Sequence, residues 1–322
     1  MNTTFKYSPL TEDDSIRLLL LHPATSRNED LRGTFRYTTL SQHYGEVIDP
    51  YTALSYVWGN PAPADKLFLD GLEVGITANL SAALRDIRDI KKTHTLWVDA
   101  VCIDQRNTAE RNKQVAMMQT IYTGANNTII YLGSLNPSAR TVIEAVYYYR
   151  KGYRAATMDT DALDAINSST PNVSTVTKAA HEGLLFHPWF RRIWILQELV
   201  LSREPWVQFG TSRVRWQDLC RLLVPLLANE RHNGSKDGIP NMTDIESMNR
   251  IRTDYWAASD YSLLDDFPEL VRSGNIVRRE KGILDLKDGR DRRKLWRILK
   301  LRRGCQALDC QMDCFQNKKA AT

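Results

Sequence analysis

Between Tyr51 and Trp216, short apolar and β-branched runs alternate with longer stretches whose apolar residues recur every three or four positions. Such switching between two periods confines a chain to strand–helix repeats and points to a doubly wound, mostly parallel α/β sheet. Thr52–Trp58 reads as a buried strand stopped by Gly59-Asn60-Pro61, and Lys66–Ile76 as a hairpin about Asp70-Gly71. Asn79 is placed to cap a helix with Leu80, Ala83, Leu84, Ile87 and Ile90 on one face. Thr95–Asp99 and Asn127–Leu132 are further strands, separated by a helix that Asn107 and Glu110 would open as a capping box. Ala139–Tyr149, Lys178–Phe186 and Trp189–Leu201 read as helices, with Gly152–Thr175 as a Ser/Thr/Asp-rich loop insertion. Trp206–Trp216 is a second hairpin about Gly210-Thr211, leading to a helix through Leu219, Leu222 and Leu226. The hairpins and extra helices would be insertions on the sheet.

The net charge of +5 is unevenly distributed. Val271–Gly304 holds thirteen Lys/Arg against four Asp/Glu, about +9, which leaves residues 1–270 at about −4. Nucleic-acid binding would therefore rest on the tail alone, and the body of the chain argues against it. No apolar run reaches the roughly 20 residues that span a bilayer, and the stretch before Leu21 lacks the basic flank of a signal peptide. Those features place the chain in the cytoplasm. Cys305, Cys310 and Cys314 match no zinc spacing, so no metal is expected. There is no Gly-x-Gly-x-x-Gly, P-loop or nucleophile elbow.

Three segments in order resemble the fungal heterokaryon incompatibility (HET) domain family: Tyr51–Gly59, Leu96–Gln105 and Phe190–Glu198. The linking residues Glu110-Arg111, Gln114, Met118, Ile121-Tyr122, Ala125 and Tyr131–Gly133 fit the same pattern. The HET family is in turn similar to Toll/interleukin-1 receptor (TIR) domains. That resemblance implies a flavodoxin-like parallel sheet and a role in fungal self/non-self recognition and programmed cell death. It leaves two activities open, assembly-gated NAD glycohydrolysis or a non-enzymatic, self-associating adaptor. NAD would then be a substrate, no cofactor is implied, and the partners are further copies of the chain and an incompatibility partner protein. On this reading residues 1–50 are an N-terminal strand and lead-in, 51–230 the HET domain, 231–270 a helical extension and 271–322 a basic tail. After Asp260 the chain departs from the family pattern, and the tail is either unfolded or the product of a misjoined reading frame.

Ligands of open α/β sheets bind beyond the carboxyl ends of the strands. The loops after the first two core strands would share that rim. They carry Ser55, Trp58, Gly59, Asp99, Asp104 and Gln105, a set of hydrogen-bonding groups, a stacking ring and a permissive backbone suited to a nucleotide. Taken singly, each of these residues reads first as structure, Trp58 and Trp97 as core and Asp99 as the cap of a loop amide. Glu198 stands four residues after Trp194 on one helical face, among Ile193, Ile195, Leu196, Leu199 and Val200. A carboxylate so surrounded needs a partner or a function. The segment resembles the Trp-x-x-x-Glu pattern of TIR NAD hydrolases, which implies a catalytic Glu198 with Trp194 beside the substrate. The residues alone equally allow an ion pair with Arg191 or Arg192.

Overall fold

The computed structural model describes residues 5–43, 50–155, 172–192, 194–232 and 242–259. Its centre is β3 (Thr52–Tyr56), an apolar run paired in parallel with β6 (His94–Trp97) on one side and β7 (Asn127–Tyr131) on the other. β8 (Pro205–Phe209) continues the parallel set beside β7. β1 (Ser15–Leu21) lies antiparallel to β6, and β2 (Leu31–Thr39) lies antiparallel to β1 and runs into the short α1 (Leu40–His43). The hairpin β4 (Asp65–Leu69)–β5 (Leu72–Ile76) joins β2 through a parallel β4, and β9 (Ser212–Arg215) folds back on β8. The nine-stranded order is β5-β4-β2-β1-β6-β3-β7-β8-β9.

The α/β class and the parallel core follow the sequence expectation. The sheet as a whole is mixed rather than mostly parallel. The two N-terminal strands insert antiparallel between the core and the β4–β5 hairpin, and each hairpin adds one antiparallel pairing at an edge. Both hairpins lie where the sequence puts them. Asp70 and Gly71 take φ of 51° and 81°, the left-handed pair that a two-residue turn of this twist requires.

Alternation along β3 sends Ser55 to one face, in register with Ile130 and Val207, and Leu54 and Tyr56 to the other. Helix α2 (Ala78–Ile87) covers the second face, where the Asp86 carboxylate accepts from Tyr131 Oη at 2.6 Å and Arg27 Nε at 2.8 Å. Its cap is Thr77, in extended backbone and accepting from Leu80 N at 3.3 Å. Asn79 already lies inside the helix, and its amide donates instead to Val57 O at 2.9 Å. A short α3 (Asp99–Cys102) follows β6. The first face carries α4 (Thr108–Gly124), whose Tyr122 packs edge-on against Trp97, with centroids 5.6 Å apart.

Asn107 caps α4 by accepting from Glu110 N at 3.1 Å. The return half of the expected box does not form. The Glu110 carboxylate accepts from Asp104 N and receives both guanidinium nitrogens of fully buried Arg17. Beyond β7, α5 (Pro137–Ala155) and α6 (Val173–Ala180) pack together with α8 (Trp216–His232) and α9 (Met242–Ser259) around Trp189, Phe190 and Trp216. The buried stripe of α8 is Leu219, Leu223 and Leu227, while Leu222 is only partly buried. Each large apolar side chain so buried stabilises the fold by about 1.5–3 kcal/mol.

The segment Trp189–Leu201 is not one helix. Pro188–Arg191 is a 3-10 turn, Arg192 is extended (φ −75°, ψ 144°), and α7 begins only at Ile195 and ends at Val200. The insertion expected as a loop over Gly152–Thr175 is helical at its described ends, where α5 runs on to Ala155 and α6 already starts at Val173, and residues 156–171 lie outside the described residues. So do Ile193, the tail 271–322 and its three cysteines. Among the described residues no helix is long and apolar enough to cross a membrane, and no group of His, Cys, Asp and Glu could hold a metal ion.

Candidate functional site

Ser55 sits one residue before the carboxyl end of β3 and is 1% exposed. Its hydroxyl donates to the carboxylate of Glu198 on α7 and accepts from the indole of Trp189 at 2.7 Å. Glu198 is likewise 1% exposed, and its Oε2 also faces Arg192 Nη1 at 3.4 Å. The same Nη1 donates to the Tyr56 carbonyl at 2.7 Å. The break in the predicted helix is what makes this arrangement available. Extended backbone at Arg192 turns its side chain toward the end of β3, while Trp189 drops from the preceding turn onto Ser55. Of the two arginines considered as ion-pair partners, Arg192 is the one that meets Glu198.

The loops after β3 and β6 do meet. Trp58 Nε1 donates to Asp99 Oδ2 at 3.0 Å, and Asp99 Oδ1 accepts from Ala100 N at 2.8 Å, so this carboxylate holds a tryptophan of the rim and the amide of the next residue in the first turn of α3. Desolvation is the largest influence on Asp99. It pushes the carboxyl up to about 7, aided by the negative Glu198 and opposed by Arg192. Asp99 is thus a group that exchanges a proton near neutrality, a property of acids and bases at work as well as of buried structural carboxyls. Gln105 donates its amide to Asp99 O at 2.8 Å and fixes the same loop.

Two further rim residues have structural partners. The Asp104 carboxylate accepts from Arg106 N at 3.1 Å within its own turn. Gly59 has φ +72°, and a Cβ there would stand 2.6 Å from Asn79 Nδ2, so glycine is required by conformation and by space alike. Trp194 is half-buried at the N-cap of α7, and its carbonyl accepts from Glu198 N at 3.2 Å. Ser55, Trp58, Asp99, Gln105 and Glu198 are therefore linked directly or through Arg192 and the β3 end. Asp104 has its side chain engaged elsewhere.

Three groups at this rim escape a reading of the sequence. The Trp189 indole is a donor to Ser55, which only the fold reveals, although Pro188-Trp189-Phe190 lies just before the third motif. Tyr56 is buried, and its hydroxyl has no hydrogen-bond partner among the described residues. Burial, then the nearby Asp99, raise its pKa well above the usual phenol value. His187 accepts from Trp189 N at 3.2 Å through a neutral ring, and burial pulls its pKa down to about 4.

Residues 51–198 match the sequence model of the family described as Heterokaryon incompatibility protein (HET). Over 240 residues the chain is 26% identical to Heterokaryon incompatibility protein 6, OR allele, of Neurospora crassa, a similarity that takes in 62% of this chain and 34% of that protein. The chain thus spans about a third of the length of that curated relative. No solved structure matches it.

Proposed function

Residues 51–198 form a domain of the heterokaryon incompatibility (HET) family, and on that premise we propose that the protein is a cytoplasmic module of fungal self/non-self recognition, a form of innate immunity that ends in programmed cell death. We infer further that its output is cleavage of NAD at Glu198, switched on when copies of the chain assemble in response to an incompatibility partner.

The observation that carries this reading is a fully buried glutamate at the carboxyl edge of a parallel sheet, where open α/β folds bind nucleotides. Taken in sequence order, the four parallel strands lie as 2-1-3-4, the beginning of the flavodoxin-like order expected of a TIR relative. NAD is a substrate for which one carboxylate suffices. The C–N bond to ribose breaks with its electron pair going to nicotinamide, which departs as a neutral molecule and needs no proton. Water adds to the ribose carbon and releases a proton. Glu198 would steady the cationic ribose or hold its hydroxyls, with Trp58, Asp99 and Trp194 flanking the substrate.

One observation favours the adaptor reading. Glu198 is already satisfied by Ser55 and Arg192 and reaches no solvent in the isolated chain. An assembly-gated enzyme and a purely self-associating adaptor both predict a silent monomer, so they separate only at high concentration. Nicotinamide release per molecule should climb steeply with protein concentration. A rate that stays at the buffer level while the protein demonstrably self-associates would leave the adaptor.

A further inference from the structure

We propose that Arg252 of α9 is a positioning residue for the Glu198 site: it holds α7 in the one pose that docks Glu198 against Ser55 and Arg192. The inference rests on reading Glu198 as the working carboxylate, although its test does not pass through NAD turnover.

α7 has six residues, too few to be stable by itself, and its last carbonyls have no partner within the helix. Arg252 supplies them from a different helix. Its Nη1 donates to Leu199 O at 2.9 Å, to Val200 O at 3.2 Å and to Ser202 O, and its Nη2 donates to Arg203 O at 2.7 Å. Trp256, one turn further along α9, adds a bond from its indole to Val200 O at 2.8 Å, and the guanidinium lies 5.7 Å from that ring. A cation at a helix carboxyl end also opposes the helix dipole. Burial pulls the Arg252 pKa down to about 10, so the group is still charged at neutral pH while it grips the carbonyls.

α9 can hold α7 because it is itself anchored, with Ile245 and Met248 buried in the core. α7 is therefore fixed at two points. Glu198 ties it to β3, and Arg252 takes the carbonyl of the next residue, Leu199. Release at Arg252 frees the Leu199 carbonyl, one peptide beyond Glu198, with no intervening element to absorb the movement. α9 lies beyond residues 51–198, so the positioning group belongs to a segment outside the family match.

The test is carboxylate labelling of the full chain with a water-soluble carbodiimide and an amine, read by peptide mass spectrometry at Glu198 and at the exposed Glu73 and Glu144. Glu198 should be protected in the wild type. Arg252→Met should raise its labelling about tenfold or more, the factor expected when a set of charge-assisted hydrogen bonds is removed from a local opening, with the two reference sites unchanged. Arg252→Lys should restore most of the protection, since an ammonium still donates to carbonyls. Unchanged Glu198 labelling in a cooperatively folded Arg252→Met protein would overturn the proposal, and so would a Lys variant that labels as strongly as the Met variant. If Arg252→Met does not fold, Arg252→Gln keeps a neutral donor on a shorter stem. A selective rise at Glu198 in that variant then supports the proposal and unchanged labelling overturns it. Loss of the NAD reading would leave this labelling pattern as it is, so the two failures are distinguishable.

Discussion

Ser55 on β3 donates its hydroxyl to the carboxylate of Glu198 on α7, across 143 positions of sequence, and accepts from the Trp189 indole behind it. This chain of two hydrogen bonds joins the first and third family motifs inside the core. Removing its middle link strands a buried indole and half-strips a buried carboxylate. Ser55→Ala should lower stability by about 2–3 kcal/mol, the cost of unsatisfied buried groups when one is charged. Urea denaturation checks this, and an unchanged midpoint would show that the bonds contribute nothing net.

Asp99 and His187 predict a pH signature. The folded Asp99 carboxyl titrates at about 7 against an ordinary value of 3.8, so the native state binds the extra proton. Its stabilising contribution is therefore complete below about 4 and disappears as pH rises to about 7. His187 acts in the opposite sense. Its folded value of about 4 lies below 6.5, so its contribution is present above 6.5 and is lost as pH falls toward 4. Asp99→Asn should leave the His187 rise between about 4 and 6.5 and abolish the decline toward pH 7. Denaturation at pH 5 and pH 8 for both proteins measures the difference. Equal slopes would contradict the Asp99 assignment.

Arg17 is fully buried and held bidentately by Glu110, under the Tyr7 and Tyr37 rings. Glu110→Gln leaves a buried cation without its counter-ion and should cost roughly 3–5 kcal/mol. Arg17→Met combined with Glu110→Gln should recover part of that loss, because no charge then remains buried. Calorimetry on the single and double variants tests the coupling, and strictly additive losses would count against it.

Gly59→Ala meets two obstacles, a φ of +72° and Asn79 Nδ2 at 2.6 Å. The left-handed backbone alone costs about 1–2 kcal/mol for a residue with a Cβ. Adding Asn79→Ala should relieve the steric part and leave the backbone part. If the double variant is no more stable than Gly59→Ala, the Asn79 contact is not the obstacle.

Much of the fold is written locally. The Asp70-Gly71 turn, the Asn107 cap and the parallel strands ending at Tyr56, Trp97 and Tyr131 all follow from residue type and period. What local pattern does not carry is partnership at a distance. Nothing near Glu110 indicates that it will serve Arg17 rather than complete its own capping box, and nothing near Leu18–Leu21 says that the strand enters the sheet antiparallel beside β6. The same holds at the site. Glu198 stands out as a carboxylate among apolar residues. That Arg192 breaks the helix to reach Tyr56 O, and that Trp189 reaches Ser55, depends on the end of β3 being there to receive them.

On the proposed reading, Glu198 cleaves NAD when copies of the chain assemble. The most direct test of that reading compares nicotinamide release from wild-type protein and from Glu198→Gln, both at concentrations where self-association is measured and both shown to be folded. Release should rise with assembly in the wild type and fall by a factor of about 100 or more in the variant, as expected when a transition-state charge loses its counter-charge. Equal release from the two proteins, or none from an assembled wild type, would contradict it.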